Sequence, residues 1–120
     1  MSDNPPLDLQ VIDALRALSP ESGGDFLREL VEIYLRDTPE RLTELEQALV
    51  RQDAAMVTRA AHSIKGSSSN FGAKRLAQFA QEIEAQGKAS NFSAAAAAVA
   101  DLKAEYARVA QALTQIALGT

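Results

Sequence analysis

The sequence predicts an all-α fold, an antiparallel four-helix bundle with additional short N-terminal helices. Apolar residues recur at three- and four-residue steps along nearly the whole chain, which is the helical period. No alternating run resembles a β-strand, and the segments between the predicted helices are short. No linker is long enough to divide the 120 residues, so residues 1–120 are expected to form a single domain.

Six helices are predicted from the apolar spacing and from the residues that begin and end helices. In chain order they cover about residues 8–18, 22–37, 39–51, 54–71, 73–87 and 91–118. Ser19-Pro20 ends the first helix, and Asp25 lies in the first turn of the second. Pro39 disfavours helical backbone at Thr38, so we expect one helix to stop there and another to begin with Pro39 in its first position.

The remaining helices are bounded by capping residues and glycines. Asp53 is a favourable cap for the fourth helix, and Gly72 is a helix-ending residue after it. The fifth helix is expected to end near Gly87, and Ser90-Asn91 begins the last.

The composition excludes several classes of function. Without cysteine there is no disulfide or thiolate site, and with a single histidine no metal site is expected. The net charge of −4 argues against sequence-independent binding to nucleic acid. The longest apolar run, residues 94–100, is far short of the ~20 residues that span a bilayer. The N-terminus has neither the basic start nor the apolar block of a signal peptide, so we expect a cytoplasmic protein without membrane insertion.

The acidic average conceals a basic segment around the only histidine, His62. Residues 54–81 contain no acidic residue and carry a charge of +4, whereas the rest of the chain carries −8. The basic residues of the segment are Arg59, Lys65, Lys74 and Arg75. Charge clusters of this kind are usually a solvated face, and the alternative is a docking surface for something anionic.

On a regular helix, His62 points away from the core. It lies about 160° from Ile64 and about 140° from Val57 around the helix axis. A lone histidine is more often a structural residue on the buried face, and this orientation, beside Arg59 and Lys65, weakens that interpretation.

Gly66 lies one turn after His62 and has two interpretations. Inside a helix, glycine costs about 1 kcal/mol relative to alanine, so its presence can mean steric clearance for a partner. Otherwise the helix ends at Lys65, and residues 66–70 form a serine-rich loop. A phosphate-binding nucleotide loop is excluded because Lys65 precedes Gly66 and no strand comes before them.

His62, Lys65 and Gly66, followed by small residues and by Gly72 ten positions after the histidine, resemble the histidine-containing phosphotransfer (HPt) domains of bacterial two-component phosphorelays. The resemblance covers roughly residues 56–80. It implies that the fourth helix continues to about residue 71, which sets the loop interpretation aside. It also implies that the third to sixth helices form the bundle and that the first two cover one end.

The resemblance implies that His62 accepts a phosphoryl group from a receiver-domain phosphoaspartate and passes it to another receiver aspartate. Such a protein is a phosphocarrier rather than an enzyme, with no ATP site and no cofactor of its own, and Mg²⁺ is expected only in the receiver partner. The implied partners are response-regulator receiver domains and a sensor or hybrid histidine kinase, and a monomer suffices.

The alternative is a non-catalytic helical adaptor that docks receiver domains or other partners without phosphotransfer. A fragment of a kinase dimerisation domain is disfavoured, because those domains place an acidic residue directly after the histidine, where this chain has Ser63.

The residue types suit a phosphoryl carrier. An imidazole, with an ordinary pKa of about 6.5, is largely neutral near pH 7 and able to act as a nucleophile. Arg59 and Lys65 offset the charge of an incoming phosphoryl group, and Ser69, two turns on, is a candidate donor to a phosphoryl oxygen.

An orienting partner for the imidazole is predicted from hairpin geometry. If the fourth and fifth helices fold back around Gly72, His62 lies level with about residue 83 or 84. Glu84 is then the candidate acceptor for the proton of one ring nitrogen. Its alternative interpretation is an ordinary solvated acid, and Gln81 is the substitute candidate.

Overall fold

Five α-helices account for most of the described chain, which in this computed structural model comprises residues 5–18 and 24–118. They are α1 (Leu9–Ala17), α2 (Asp25–Arg51), α3 (Ala54–Ser69), α4 (Lys74–Lys88) and α5 (Phe92–Leu113), followed by one π-helical turn (Thr114–Leu118). These ranges contain no β-strand, so the all-α prediction is confirmed. The predicted helix ends that fall on residues 19–22 lie outside the described residues.

Side-chain caps fix where three of the helices begin. Asp8, Asp53 and Asn91 precede α1, α3 and α5, and each accepts a hydrogen bond from a backbone amide two or three residues later, at 3.0–3.2 Å. Each cap satisfies an amide that has no partner within its helix. The cap predicted at Asp53 is therefore present, α5 begins directly after Asn91, and α3 ends at Ser69, two residues earlier than predicted.

The break predicted at Thr38-Pro39 is wrong, and the helices predicted over residues 22–37 and 39–51 are parts of one helix, α2. One unbroken buried stripe continues through the proline: Val31, Tyr34, Thr38, Leu42 and Leu45. Pro39 lies on the exposed side, where its ring displaces no core residue. Proline removes one backbone hydrogen bond from a helix, and here the burial of apolar side chains on both sides outweighs that loss.

Helices α2 to α5 form the bundle, with short connections that make neighbours antiparallel, and α1 lies across one end. The backbone amide of Asp8 donates to the carbonyl of Gly72 at 3.1 Å, and Arg16 Nη2 donates to the carbonyl of Ile116 at 3.4 Å. Thus α1 joins the α3–α4 turn to the end of α5. Because α2 is continuous, α1 alone is the additional short helix in the described residues.

Gly72 connects this end of the bundle to the N-terminal segment. Its φ of +70° lies in the left-handed region that favours glycine. A Cβ here would also stand 2.7 Å from Asp8 Cβ, so a side chain would push α1 away from the turn.

Tyr34 ties α2 to the end of α3. Its hydroxyl and the buried Ser68 hydroxyl are 2.7 Å apart, and burial raises the pKa of Tyr34. The ring packs at an angle against Phe71 and Tyr106, with centroids 5.1 Å and 5.9 Å away. These contacts hold α3 at a fixed position along the axis of α2. Helix α3 carries the predicted functional histidine.

Candidate functional site

His62 lies on the outer face of α3, with 66% of its side chain exposed. The two neighbouring core positions, Ala61 and Ile64, are buried. The orientation predicted from helical geometry is therefore confirmed, and the imidazole is accessible from solvent.

Helix α4 brings Glu84 to the imidazole. Glu84 Oε2 lies 3.1 Å from His62 Nδ1, the juxtaposition that the hairpin geometry predicts. Gly87, one turn further along α4, makes this approach possible, because a Cβ there would stand 2.8 Å from Val57 Cγ1 on α3. Only 11% of the Glu84 side chain is exposed, so the interpretation of Glu84 as an ordinary solvated acid is wrong.

Two lysines complete the surroundings of the carboxylate. Lys65 Nζ lies 2.9 Å from Glu84 Oε1, and Lys88 Nζ lies 3.6 Å from Oε2. The Lys65 ammonium, 2.9 Å from the carboxylate, lowers the pKa of Glu84 below its ordinary value, against the opposing effect of burial, and the contact with His62 lowers it further. Glu84 is therefore ionised at neutral pH.

The ionised carboxylate determines which ring nitrogen carries the proton. A carboxylate only accepts hydrogen bonds, so the neutral imidazole donates from Nδ1 to Glu84. Nε2 then has a free lone pair and belongs to a largely exposed side chain. Such an imidazole can act as a nucleophile through Nε2 while a buried acid orients it through Nδ1.

Gly66 is part of α3, so the loop interpretation is wrong. A Cβ at this position would have no atom within 4 Å beyond its own helix backbone and chain neighbours. The packing of residues 5–18 and 24–118 therefore does not require glycine here, one turn from His62.

The other predicted site residues make no hydrogen bond or ion pair with the imidazole within the described chain. The Ser69 hydroxyl donates to the carbonyl of Lys65 at 2.8 Å, within its own helix. Arg59 is exposed one turn before His62, and in residues 5–18 and 24–118 no carboxylate comes within ion-pair distance of it. Gln81 is exposed, and no hydrogen bond joins it to His62 in the described chain.

The sequence reasoning missed Lys88. The signal was present, because Glu84 and Lys88 are four residues apart on one helix, the spacing and order that favour an ion pair. Within the described residues, no group of three or more side chains of the metal-binding types comes together.

The fold and the site define a small helical domain in which a buried glutamate on one helix of a four-helix bundle holds an exposed histidine on the neighbouring helix. Residues 29–112 match the family model for the Hpt domain. The chain belongs to this family of histidine-containing phosphotransfer domains.

Curated relatives and one solved structure agree with this assignment. Histidine-containing phosphotransfer protein 1 of Arabidopsis thaliana is 30% identical over 102 residues, 83% of this chain and 66% of that protein. Phosphorelay protein LuxU of Vibrio vulnificus is 31% identical over 74 residues, 62% of this chain and 64% of that protein. The matched segments thus span slightly less than two-thirds of these relatives. The crystal structure of histidine-containing phosphotransfer protein B (HptB) from Pseudomonas aeruginosa PAO1 is similar over 94% of this chain and 95% of that one, with a TM-score of 0.85 and 31% identity.

None of the helices in the described residues is long and apolar enough to cross a membrane.

Proposed function

We propose that this chain is a phosphocarrier in a two-component phosphorelay, in which His62 accepts a phosphoryl group from a receiver-domain phosphoaspartate and passes it to another receiver aspartate. The observation that carries the proposal is the hydrogen bond between His62 Nδ1 and the buried Glu84, at 3.1 Å. It leaves Nε2 as the nucleophile on a side chain that is 66% exposed.

The transfer step uses the Nε2 lone pair. This lone pair attacks phosphorus in line with the aspartyl oxygen, the N–P bond forms, and the P–O bond breaks with its electron pair on the leaving aspartate. The ring keeps its Nδ1 proton and becomes positively charged. Glu84, 3.1 Å from Nδ1, stabilises that charge, and the same steps in reverse deliver the phosphoryl group to the second receiver.

Positive side chains beside His62 support the approach of a phosphoryl group. Lys65 is one turn after the histidine and Arg59 one turn before it, and Arg59 is exposed. Their charges offset those of the transferring group and of the phosphohistidine product. Ser69 remains a candidate donor to a phosphoryl oxygen, provided that its hydroxyl turns away from the Lys65 carbonyl.

The proposal assigns the remaining chemistry to the partners. A receiver domain supplies the phosphoaspartate and the Mg²⁺, and a sensor or hybrid histidine kinase supplies the phosphoryl group upstream. The chain itself acts in the cytoplasm as a monomeric carrier with no ATP site, not as an enzyme working alone. The sequence supports the lack of an ATP site, since it contains no phosphate-binding nucleotide loop.

The test is transfer of radioactive phosphate from phosphorylated receiver domains to the purified chain. We expect a label that is labile in acid and stable in base, on the wild type but not on His62→Gln. Lys103→Gln is the matched control. Lys103 is a surface lysine on α5 that pairs with Glu46 on α2 at 3.0 Å, so the change affects neither α3 nor α4. A label that never forms, or that persists in His62→Gln, would overturn the proposal. Receivers that bind both proteins equally without any transfer would identify the helical adaptor instead.

Glu84→Gln tests the orienting role. It keeps the shape of the side chain but removes its charge, so we expect transfer to slow by about tenfold or more. An unchanged rate would show that Glu84 does not orient the nucleophile.

A further inference from the structure

The Glu84 carboxylate has more positive neighbours than an orienting partner of His62 needs. Lys65 approaches one oxygen at 2.9 Å. Lys88 lies 3.6 Å from the other oxygen, which is the one that faces His62 Nδ1. The carboxylate is 11% exposed and the Lys65 side chain 28%, whereas the Lys88 side chain is 66% exposed. The two lysines therefore differ in distance and in freedom to move.

Phosphorylation of His62 would place a competitor for Lys65 one turn away. A phosphoryl group carries more negative charge than a carboxylate at neutral pH and offers three acceptor oxygens. If Lys65 turns toward it, Glu84 loses its closest cation. The phosphorylated ring still faces Oε2, but the buried Oε1 is left without its cation. A buried carboxylate oxygen in that position is strongly unfavourable, so another cation has to approach the carboxylate.

Lys88 is the only other lysine or arginine within ion-pair distance of Glu84 in residues 5–18 and 24–118. It follows Glu84 by four residues, the order that favours a glutamate–lysine pair on a helix. It is also the last residue of α4, where the helix dipole favours a positive charge.

We propose that Lys88 is a positioning residue that replaces Lys65 as the counter-ion of Glu84 when His62 is phosphorylated. The inference rests on the proposed function of His62. Lys65 moves from Glu84 Oε1 to a phosphoryl oxygen, and Lys88 closes its 3.6 Å separation from the carboxylate. Glu84 stays ionised and hydrogen-bonded to Nδ1, so the imidazole has the same orientation when it receives the phosphoryl group and when it gives it up.

The experiment compares unphosphorylated and phosphorylated protein in urea at mildly basic pH, where phosphohistidine is stable. Phosphoramidate is the phosphoryl donor: an N–P bond forms at the imidazole, the donor's own P–N bond breaks, and ammonia leaves. His62 is the only histidine of the chain, so histidine phosphorylation has one site, and mass spectrometry measures its extent.

Lys88→Gln is expected to leave the urea midpoint of the unphosphorylated protein nearly unchanged, because exposed ion pairs contribute little. In the phosphorylated protein it is expected to lower the midpoint by about 0.5 M or more. Lys88→Arg, which keeps the charge, restores the wild-type midpoint. In a Glu84→Gln background, Lys88→Gln has no phosphorylation-dependent effect, since there is no buried charge to neutralise. Lys103→Gln, the matched surface control, shifts both forms equally.

An equal loss in both forms would make Lys88 an ordinary surface partner of Glu84, and no loss in either form would show that it does not act on Glu84. Either result overturns the inference and leaves the proposed function standing. Failure of receivers to transfer phosphate to His62 overturns the proposed function separately, because the phosphoramidate experiment needs no receiver. A chain that phosphoramidate fails to phosphorylate contradicts an accessible Nε2 and overturns both.

Discussion

Replacing Gly66 with alanine is expected to strengthen the fold and weaken the function. Among the described residues, the added Cβ has no atom within 4 Å beyond its own helix backbone and chain neighbours, so it displaces none of them. Alanine is favoured over glycine in a helix by about 0.5–1 kcal/mol, and Gly66 lies in the last turn of α3, which ends at Ser69, so we expect the lower value. For a chain of this size the melting temperature should rise by about 2–4 °C, measured by circular dichroism.

The same methyl group stands one turn from His62, on the surface that a phosphoryl donor must approach. A displacement of reacting groups by about 1 Å can cost about a hundredfold in rate, so transfer from receivers should slow by about ten- to a hundredfold. Labelling by phosphoramidate should fall much less, because a small donor does not need the close approach of two protein surfaces.

Gly87→Ala is the matched control for the stability measurement. Its Cβ would stand 2.8 Å from Val57 Cγ1 and 2.9 Å from Thr58 Oγ1, and overpacking of this kind costs about 1–3 kcal/mol. It should lower the melting temperature, whereas Gly66→Ala raises it. A destabilised Gly66→Ala protein, or one that accepts phosphate from receivers at the wild-type rate, would refute the reasoning about steric clearance.

Three further predictions concern charge and packing. Because the nearby Lys65 ammonium lowers the pKa of Glu84, the ionised carboxylate stabilises the fold at pH values above the ordinary pKa of 4.5. This contribution is lost as the pH falls through the lowered pKa. The urea midpoint of Glu84→Gln should therefore fall less than that of the wild type between about pH 6 and about pH 3. The same pH dependence in both proteins would contradict a lowered pKa of Glu84. Tyr34→Phe leaves the buried Ser68 hydroxyl without its 2.7 Å partner and should cost about 1–2 kcal/mol in urea unfolding. Adding Ser68→Ala should cost less than the two single changes predict, and strict additivity would argue against the pair. Pro39→Ala should raise the free energy of unfolding by about 1–3 kcal/mol, because it restores a backbone donor within α2, and a fall would give Pro39 a stabilising role.

The periodic features of the fold are predictable from the sequence, and the continuity of α2 is not. Helical spacing and caps such as Asp53 act locally, so they can be read residue by residue. Whether a helix passes through Pro39 depends on what the flanking residues bury. Tyr34 and Leu42 are both buried in the same stripe, and no local rule weighs their burial against the lost hydrogen bond.

The candidate site also has some features that the sequence predicts and others that it does not. Hairpin geometry predicts that Glu84 lies level with His62, because an antiparallel pair of helices with a short turn has a fixed register. It does not predict that the carboxylate is buried or that Lys65 turns toward it, since both depend on the rotation of α4 about its own axis. That rotation is set by the close approach of Gly87 to α3, which is a tertiary contact.

The continuity of α2 affects the rate of complex formation and the conformational entropy that complex formation loses. Its 27 residues make one rod about 40 Å long, which carries the contacts of the bundle and of α1 together. Within the described residues, α2 therefore has no break at which one end of the bundle would have to be ordered against the other when another protein binds. Association that needs no ordering loses little conformational entropy, so a small contact area suffices for recognition, and the complex can form and separate quickly.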